Sequence, residues 1–231
     1  MGFALLTHTG GGLGSAGGAS AAIDTSGADF LIAAVIYDSR TTPTFTDNKG
    51  NTWTAGFAQT NLSNASCQPY WCNPTSKGTG HTVSCGGPTS QFSSVYFAAF
   101  SGALQGTPKD QAISNVGIAS STCQPGSITP TENNELVICI CGFNIAGNPS
   151  ISGGGMILLD KNGLSAGAFY GGGLAYVVQT AAAAINPTWT FGGAAVSAAE
   201  SVSFKSLQLA QQYGLPGDAA GGGSGQRGIA L

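Results

Sequence analysis

Asp47, Asn48 and Asn51 place three oxygen-bearing side chains within five residues, and oxygen is the donor a hard cation such as calcium takes. The run lacks the acidic residue at the far end of a longer loop that an EF-hand requires. The same string, Asp47-Asn48-Lys49-Gly50-Asn51, reads as a tight reversal held by Asx side chains and a glycine, and that is the preferred reading. Calcium at Asp47, Asn48 and Asn51 is the one metal candidate, and no cofactor is called for. Trp53, Tyr70 and Trp71 are the candidate ligand-binding residues, as an aromatic platform for a sugar ring. Tyr70 and Trp71 are adjacent, so a strand sends them to opposite faces, and at least one of them packs in a core. Trp189 carries the same ambiguity.

Catalysis has little to build on. Nucleophilic hydrolysis needs a Ser or Cys beside a positioned base, and the two histidines are His8 and His81. Ser84, His81 and Asp110 can be assembled on paper, but no motif marks them, and His81 reads as a strand-opening residue bonded to a neighbouring loop. Glu132 and Glu135 fall in a turn before a strand and read as solvated rather than as a glycosidase pair. No catalytic residue is assigned, and the chain reads as non-enzymatic. Cys67 and Cys72 can bridge a loop, and Cys85 and Cys123 can pair. Cys139 and Cys141 share a strand face and are poorly placed to bond each other. Buried free thiols are the preferred reading for all six, and none has zinc spacing.

The elements that position these residues are strands. Phe3–Thr7 forms a short first strand before a Gly/Ser/Ala-rich loop over 10–20. Phe30–Tyr37 is an almost unbroken apolar run, as in a strand covered on both faces. Further strands are predicted over 42–45, 52–57, 70–72, 81–85 and 93–100. A Ser/Thr/Pro-rich passage with one strand near 113–118 follows, and then strands over 136–143, 156–159, 169–179, 187–191 and 196–204. Residues 206–213 allow two helical turns before Gly214 and Pro216.

The second half echoes the first. LIAAVIY (31–37) is answered by LVICICGF (136–143), and TVSCGGPTSQFSSVYF (82–97) by TWTFGGAAVSAAESVSF (188–204), at an offset of about 106 residues. The expectation is an all-β, jelly-roll-like β-sandwich with internal duplication. It would be one domain over 1–205, with halves of about 1–105 and 106–205, followed by a flexible tail over 206–231. Two tandem immunoglobulin-like sandwiches are the alternative.

Only 7% of the 231 residues are charged, against roughly 25% in an average domain. Little electrostatic repulsion keeps copies apart, which favours a chain packed against neighbours or working outside a cell. The net charge is −3, the arginines are Arg40 and Arg227, and no basic cluster exists to neutralise phosphates, so nucleic acid is rejected as a partner. No apolar run reaches the roughly 18–20 residues that span a bilayer, and membrane insertion is not expected. The start MGFALLTHTGGG has no basic n-region and too short an apolar stretch for a signal peptide. A trimmed signal or release by another route, such as lysis, is the expectation.

The strings AIDTSGAD (22–29) with LIAAV, DNKGNTWT (47–54), GHTV (80–83), AAFSGA (98–103) and PGSITP (125–130) before NELV (134–137) occur in that order. Together they resemble a widespread, largely uncharacterised family of β-sandwich modules found in phage structural or tail-associated proteins and in bacterial surface proteins. The resemblance covers most of residues 3–205. It implies a virion or extracellular setting, protein subunits of a particle as partners, and a homo-oligomer. The function it implies is a structural virion component, either capsid decoration or tail-associated. An extracellular adhesion or carbohydrate-binding module with a surface glycan as partner, and a surface-filament subunit, are the alternatives.

Overall fold

The computed structural model describes residues 2–14, 17–38, 43–61, 65–86 and 92–207. Among them there is no helix, and strands pair antiparallel into two large sheets and one small one. The first large sheet runs in the order β1 (Ala4–Gly14), β9 (Ser93–Ser101), β3 (Phe30–Tyr37), β7 (Ala65–Cys72), β5 (Thr54–Ala55). In it β6 (Gln59–Asn61) also pairs with β7. The second runs β10 (Lys109–Cys123), β15 (Thr188–Phe204), β11 (Glu135–Phe143), β14 (Gly171–Gln179), β13 (Ile157–Asn162), with β12 (Ser150–Ser152) added to the start of β15. The small sheet is β2 (Gly17–Ala19), β8 (Val83–Gly86), β4 (Thr44–Asp47).

The five strands along each large sheet stand in the same order: first, fifth, second, fourth, third. The two sheets thus share one topology, but not the residue matching of the sequence echo: Phe30 rather than Leu31 answers Leu136, and Phe100 rather than Phe97 answers Phe204. Register makes the equivalence residue-specific. Phe30 lies opposite Phe100 as Leu136 lies opposite Phe204, and Ile32 lies opposite Trp71 as Ile138 lies opposite Tyr176. The large sheets pack face to face, with Phe30, Ile32, Ala34 and Ile36 meeting Leu136, Ile138, Ile140 and Phe204 in one core. Ring contacts across this core are reciprocal: Trp71 meets Phe204 at 5.3 Å and Tyr176 meets Phe100 at 5.4 Å.

The odd-numbered side of β3 (Leu31, Ala33, Val35, Tyr37) packs outward, with Val83, Cys85 and Phe45 of the small sheet and with Phe97. Cys139, Cys141 and Phe143 on the outer side of β11 pack with Trp189, Phe191 and Ala195. All eight residues of β3 and all nine of β11 are buried. That is why both read as unbroken apolar runs, since a strand covered on both faces has no solvent side to make polar. At Gly142 the sheets come so close that an added Cβ would lie 2.8 Å from the Ile36 side chain and 2.8 Å from the Ser66 carbonyl oxygen. Only a residue without a side chain fits there.

Several expectations are corrected. Much of the Gly-rich stretch over 10–20 is strand, since β1 continues to Gly14 and β2 follows at Gly17. Glycine is tolerated in β1 because aromatic rings occupy the space its side chains would take. A Cβ on Gly10 would meet the Tyr96 ring at 2.3 Å, and one on Gly12 the Phe169 ring at 2.2 Å. The passage read as a connector holds the 15-residue β10, and the two strands predicted near the end of the second half are one, β15. Ser206 bridges to Ala103, and the Leu207 N–H donates to the Gly102 carbonyl, so these two belong to the body of the fold. The rest of the segment read as two helical turns and a tail, from 208 on, lies outside the described residues.

Candidate functional site

Asp47 ends β4, and the chain reverses through Gly50, whose φ of 74° is the left-handed conformation that favours glycine. The Asp47 carboxylate is fully buried and takes four donors. Oδ1 accepts the Asn51 backbone N–H (3.0 Å), while Oδ2 accepts Asn51 Nδ2 (2.7 Å), His81 Nε2 (3.0 Å) and Trp53 Nε1 (3.2 Å). Burial alone would raise this carboxyl, but the hydrogen bonds from Asn51, His81 and Trp53 outweigh it and hold it below the usual carboxylate value. Asn51 Oδ1 accepts the backbone N–H groups of Thr75 (3.0 Å) and Ser76 (2.9 Å), and Asn48 Oδ1 that of Thr82 (3.0 Å). The three calcium candidates thus point their oxygens at protein N–H donors and tie the turn to the segment 75–82. Among the described residues no group of three or more His, Cys, Asp or Glu side chains is placed to hold a metal ion.

His81 completes a hydroxyl–imidazole–carboxylate array. Nε2 lies 3.0 Å from Asp47 Oδ2 and Nδ1 lies 2.9 Å from Thr25 Oγ1, whose hydroxyl also donates to the Gly78 carbonyl at 3.2 Å. The order matches a nucleophile relay, yet Thr25, His81 and the Asp47 carboxyl are all 0% exposed. A hydroxyl that no substrate reaches holds loops together instead. The set drawn on paper is not assembled, because Ser84 lies on β8 of the small sheet and Asp110 on β10 of a large one. Asp47→Asn puts an amide N–H where an acceptor faces several donors, and is expected to lower stability by about 2–3 kcal/mol at neutral pH. Because the folded carboxyl is depressed, its contribution is present above the unfolded value and is lost as pH falls through the lower folded one. Denaturant titrations at neutral and acid pH check both points, with the gap between wild type and variant closing in acid.

The three candidate rings do not form one platform. Trp53 and Tyr70 meet on the outer side of the first large sheet, around Phe45, which stacks on Tyr70 at 4.2 Å and meets Trp53 edge-on at 5.1 Å. They edge a depression of about 250 Å³, but Trp53 Nε1 is bonded to Asp47, and the Tyr70 hydroxyl donates to Gln68 Oε1 (2.9 Å). Trp71 points the other way, into the space between the large sheets, as strand alternation predicts.

Beside Trp71 lies a cavity of about 400 Å³, lined also by Gly56, Phe57, Lys109, Ile113 and Glu200. Glu200 is 1% exposed, and neither of its carboxyl oxygens has a hydrogen-bond partner among the described residues. The Phe57 backbone N–H nonetheless acts on this carboxyl. Burial pushes the Glu200 carboxyl up to about 8, against the opposing pull of that N–H and of the Lys109 ammonium. Sequence reading missed Glu200. Its only signal is parity, since it shares a strand face with Ala198, Val202 and Phe204.

Two smaller expectations resolve in the same region. Glu135 is not solvated but 0% exposed, with Oε1 accepting the Glu132 N–H at 2.9 Å. Lys205 holds Glu132 at 3.0 Å and Asp110 at 3.8 Å, clamping the start of β10 to the end of β15. All six cysteines are free and buried, so neither pairing considered for them forms. Cys67 and Cys72 face opposite sides of β7, and Cys85 and Cys123 belong to different cores. Burial pushes every one of these thiols up, Cys85 to about 11 and Cys72 and Cys139 to about 12, which leaves no thiolate nucleophile at neutral pH. Comparison with protein-family models, curated proteins and solved structures found no match to this chain.

Proposed function

We propose that this chain is a non-enzymatic structural subunit that works by docking edge to edge on other protein subunits, in a phage-like virion as a capsid decoration or tail-associated component. The observation that carries this reading is the edge strand β10. Among the described strands it pairs with β15 alone, and from Gln111 to Cys123 it contains no charged residue. Natural sheets protect such edges with Lys, Pro or inward-pointing charge, because an open row of N–H and C=O groups recruits another strand. The opposite edge of the same sheet, β13, carries Asp160 and Lys161.

On β10 a bulge between Gly117 and Ser120 places Ala119 at a φ of 51°, and Ile118 stands 69% exposed beside it. An apolar knob on an uncharged edge suits a protein partner. The family resemblance supplies the virion setting. Light scattering over a concentration series tests the reading: wild type is expected to form a defined oligomer, and Ile118→Lys to lower its mass while leaving the unfolding midpoint unchanged. A monomer at every concentration, or an oligomer indifferent to the substitution, removes assembly through this edge.

A further inference from the structure

We propose that edge docking joins two copies of this chain, each seating its Phe57 ring in the cavity beside Trp71 of the other. The proposal rests on β10 as the docking edge and names what covers it. Of the exposed large apolar side chains among the described residues, Phe57 is the only aromatic one, 69% exposed at the mouth of the cavity of about 400 Å³. Ala112, Ile113 and Ser114 of β10 line the same cavity. Knob, hole and open edge therefore share one side of the molecule.

The opposite side of the molecule shows a ring of the same kind in place. Strand order makes β13 and β14 the counterparts of β5 and β7, so the connection over 163–170 corresponds to the one that follows β5. In the first connection Phe169 turns inward and lies over β1, where a Cβ on Gly12 would meet its ring at 2.2 Å. Beside it the Tyr96 ring takes the room of a Gly10 side chain. In the second connection Phe57 turns outward. Glu200 stands where Tyr96 stands in the other half, since Gly10 lies opposite Tyr96 as Ser114 lies opposite Glu200. The smaller side chain leaves the cavity open.

The lining suits an aromatic ring. A cavity of roughly 150 Å³ already holds benzene, and Trp71, Ile113 and Gly56 present carbon to this larger one. Glu200 lies behind the wall, 1% exposed and largely protonated at neutral pH, so it sets no charge there. Lys109 is exposed and keeps its ammonium in water. The Phe57 backbone N–H acts on the Glu200 carboxyl, so the main chain is held at the wall while the ring points out, already placed for a partner. Because knob and hole share one mouth, the patch is self-complementary, and a two-fold axis beside the mouth carries each ring to the other copy's cavity. The uncharged stretch Gln111–Cys123 lets the two β10 strands approach without like-charge repulsion.

Sedimentation equilibrium of the full chain at neutral pH tests this on wild type, Phe57→Ala and Ala112→Trp, the last of which lays an indole across the hole. Wild type is expected to reach the mass of two chains and stop. Burying one phenyl ring is worth about tenfold in affinity, so either variant, losing both seated rings, is expected to pair about a hundredfold more weakly. An equimolar mixture of the two variants is expected to regain about tenfold, because one ring and one open hole survive in the mixed pair. At concentrations where both are single chains, wild type and Phe57→Ala are expected to melt together. A lower midpoint for the variant there would put the ring in its own cavity and overturn the proposal. A mass that falls with Ile118→Lys but ignores both new substitutions keeps docking at β10 and overturns the seating of Phe57. A mixture no heavier than its parts, or growth past two copies, also overturns it. A wild-type monomer at every concentration overturns both readings.

Discussion

Glu200→Gln is expected to make the protein more stable than wild type at pH 9 by roughly 3–5 kcal/mol, and to leave it nearly unchanged at pH 4. The Glu200 carboxyl is raised from the usual 4.5 to about 8 by burial. Across that window the folded chain keeps a proton that the unfolded chain has already released. The stability linked to Glu200 is therefore fully present below about 4.5 and is lost as pH rises through about 8. Glutamine has the same shape and no charge to desolvate, so the variant has no such slope. Lys109 and Cys67 face the carboxyl from β10 and β7 and remain in both proteins. The difference between the two pH profiles isolates this one group. Parallel profiles would show that the carboxyl is solvated in the folded protein. A residue that costs stability at neutral pH, where its neutral isostere would not, is the kind that function retains.

Phe204→Ala is expected to destabilise the fold by about 3–5 kcal/mol, which for a chain of this length lowers the unfolding midpoint by on the order of 10 °C. Phe204 is fully buried where the large sheets meet, 4.7 Å from the Phe30 ring and 5.3 Å from the Trp71 ring. The lost burial is compounded by a cavity that cannot collapse, because β15 is held by strands on both sides and cannot move inward alone. Thermal melts of this variant beside Phe57→Ala make the comparison internal. The same atoms removed at an exposed site should change stability by less than about 0.5 kcal/mol.

The strands buried on both faces were legible in the sequence because nothing but apolar residues serves there, as in Phe30–Tyr37. The turn over 47–51 was legible because Asx and glycine act within a few residues of themselves. What escaped depends on distant partners. Gly10 and Gly12 read as loop because the rings that fill their places, Tyr96 and Phe169, are far along the chain. The uncharged edge β10 read as a connector because half of its residues meet solvent, and Ser, Thr and Asn are as common in loops. That His81 bonds a neighbouring loop was legible, but its acceptor, Asp47, was not, because it lies 34 residues away. Of the candidate rings, alternation correctly separated Tyr70 from Trp71, but nothing local indicates that Trp71 borders a cavity opposite a buried acid.

The reciprocal ring contacts across the central core have a consequence for the origin and handling of the molecule. Trp71 touches Phe204, and their equivalents Tyr176 and Phe100 touch each other, which is the signature of an isologous interface with two-fold symmetry inside a single chain. The chain is built like a homodimer whose protomers have been fused through the segment 102–108. A half expressed alone would present a self-complementary apolar face and would pair with its own copy, whereas the intact chain satisfies that face internally. Fusion also lets the two copies diverge. Tyr96 lies opposite Ala34 as Glu200 lies opposite Ile140, so a symmetric dimer must carry the same residue at both places, and only a fused one can keep a tyrosine in one and a glutamate in the other.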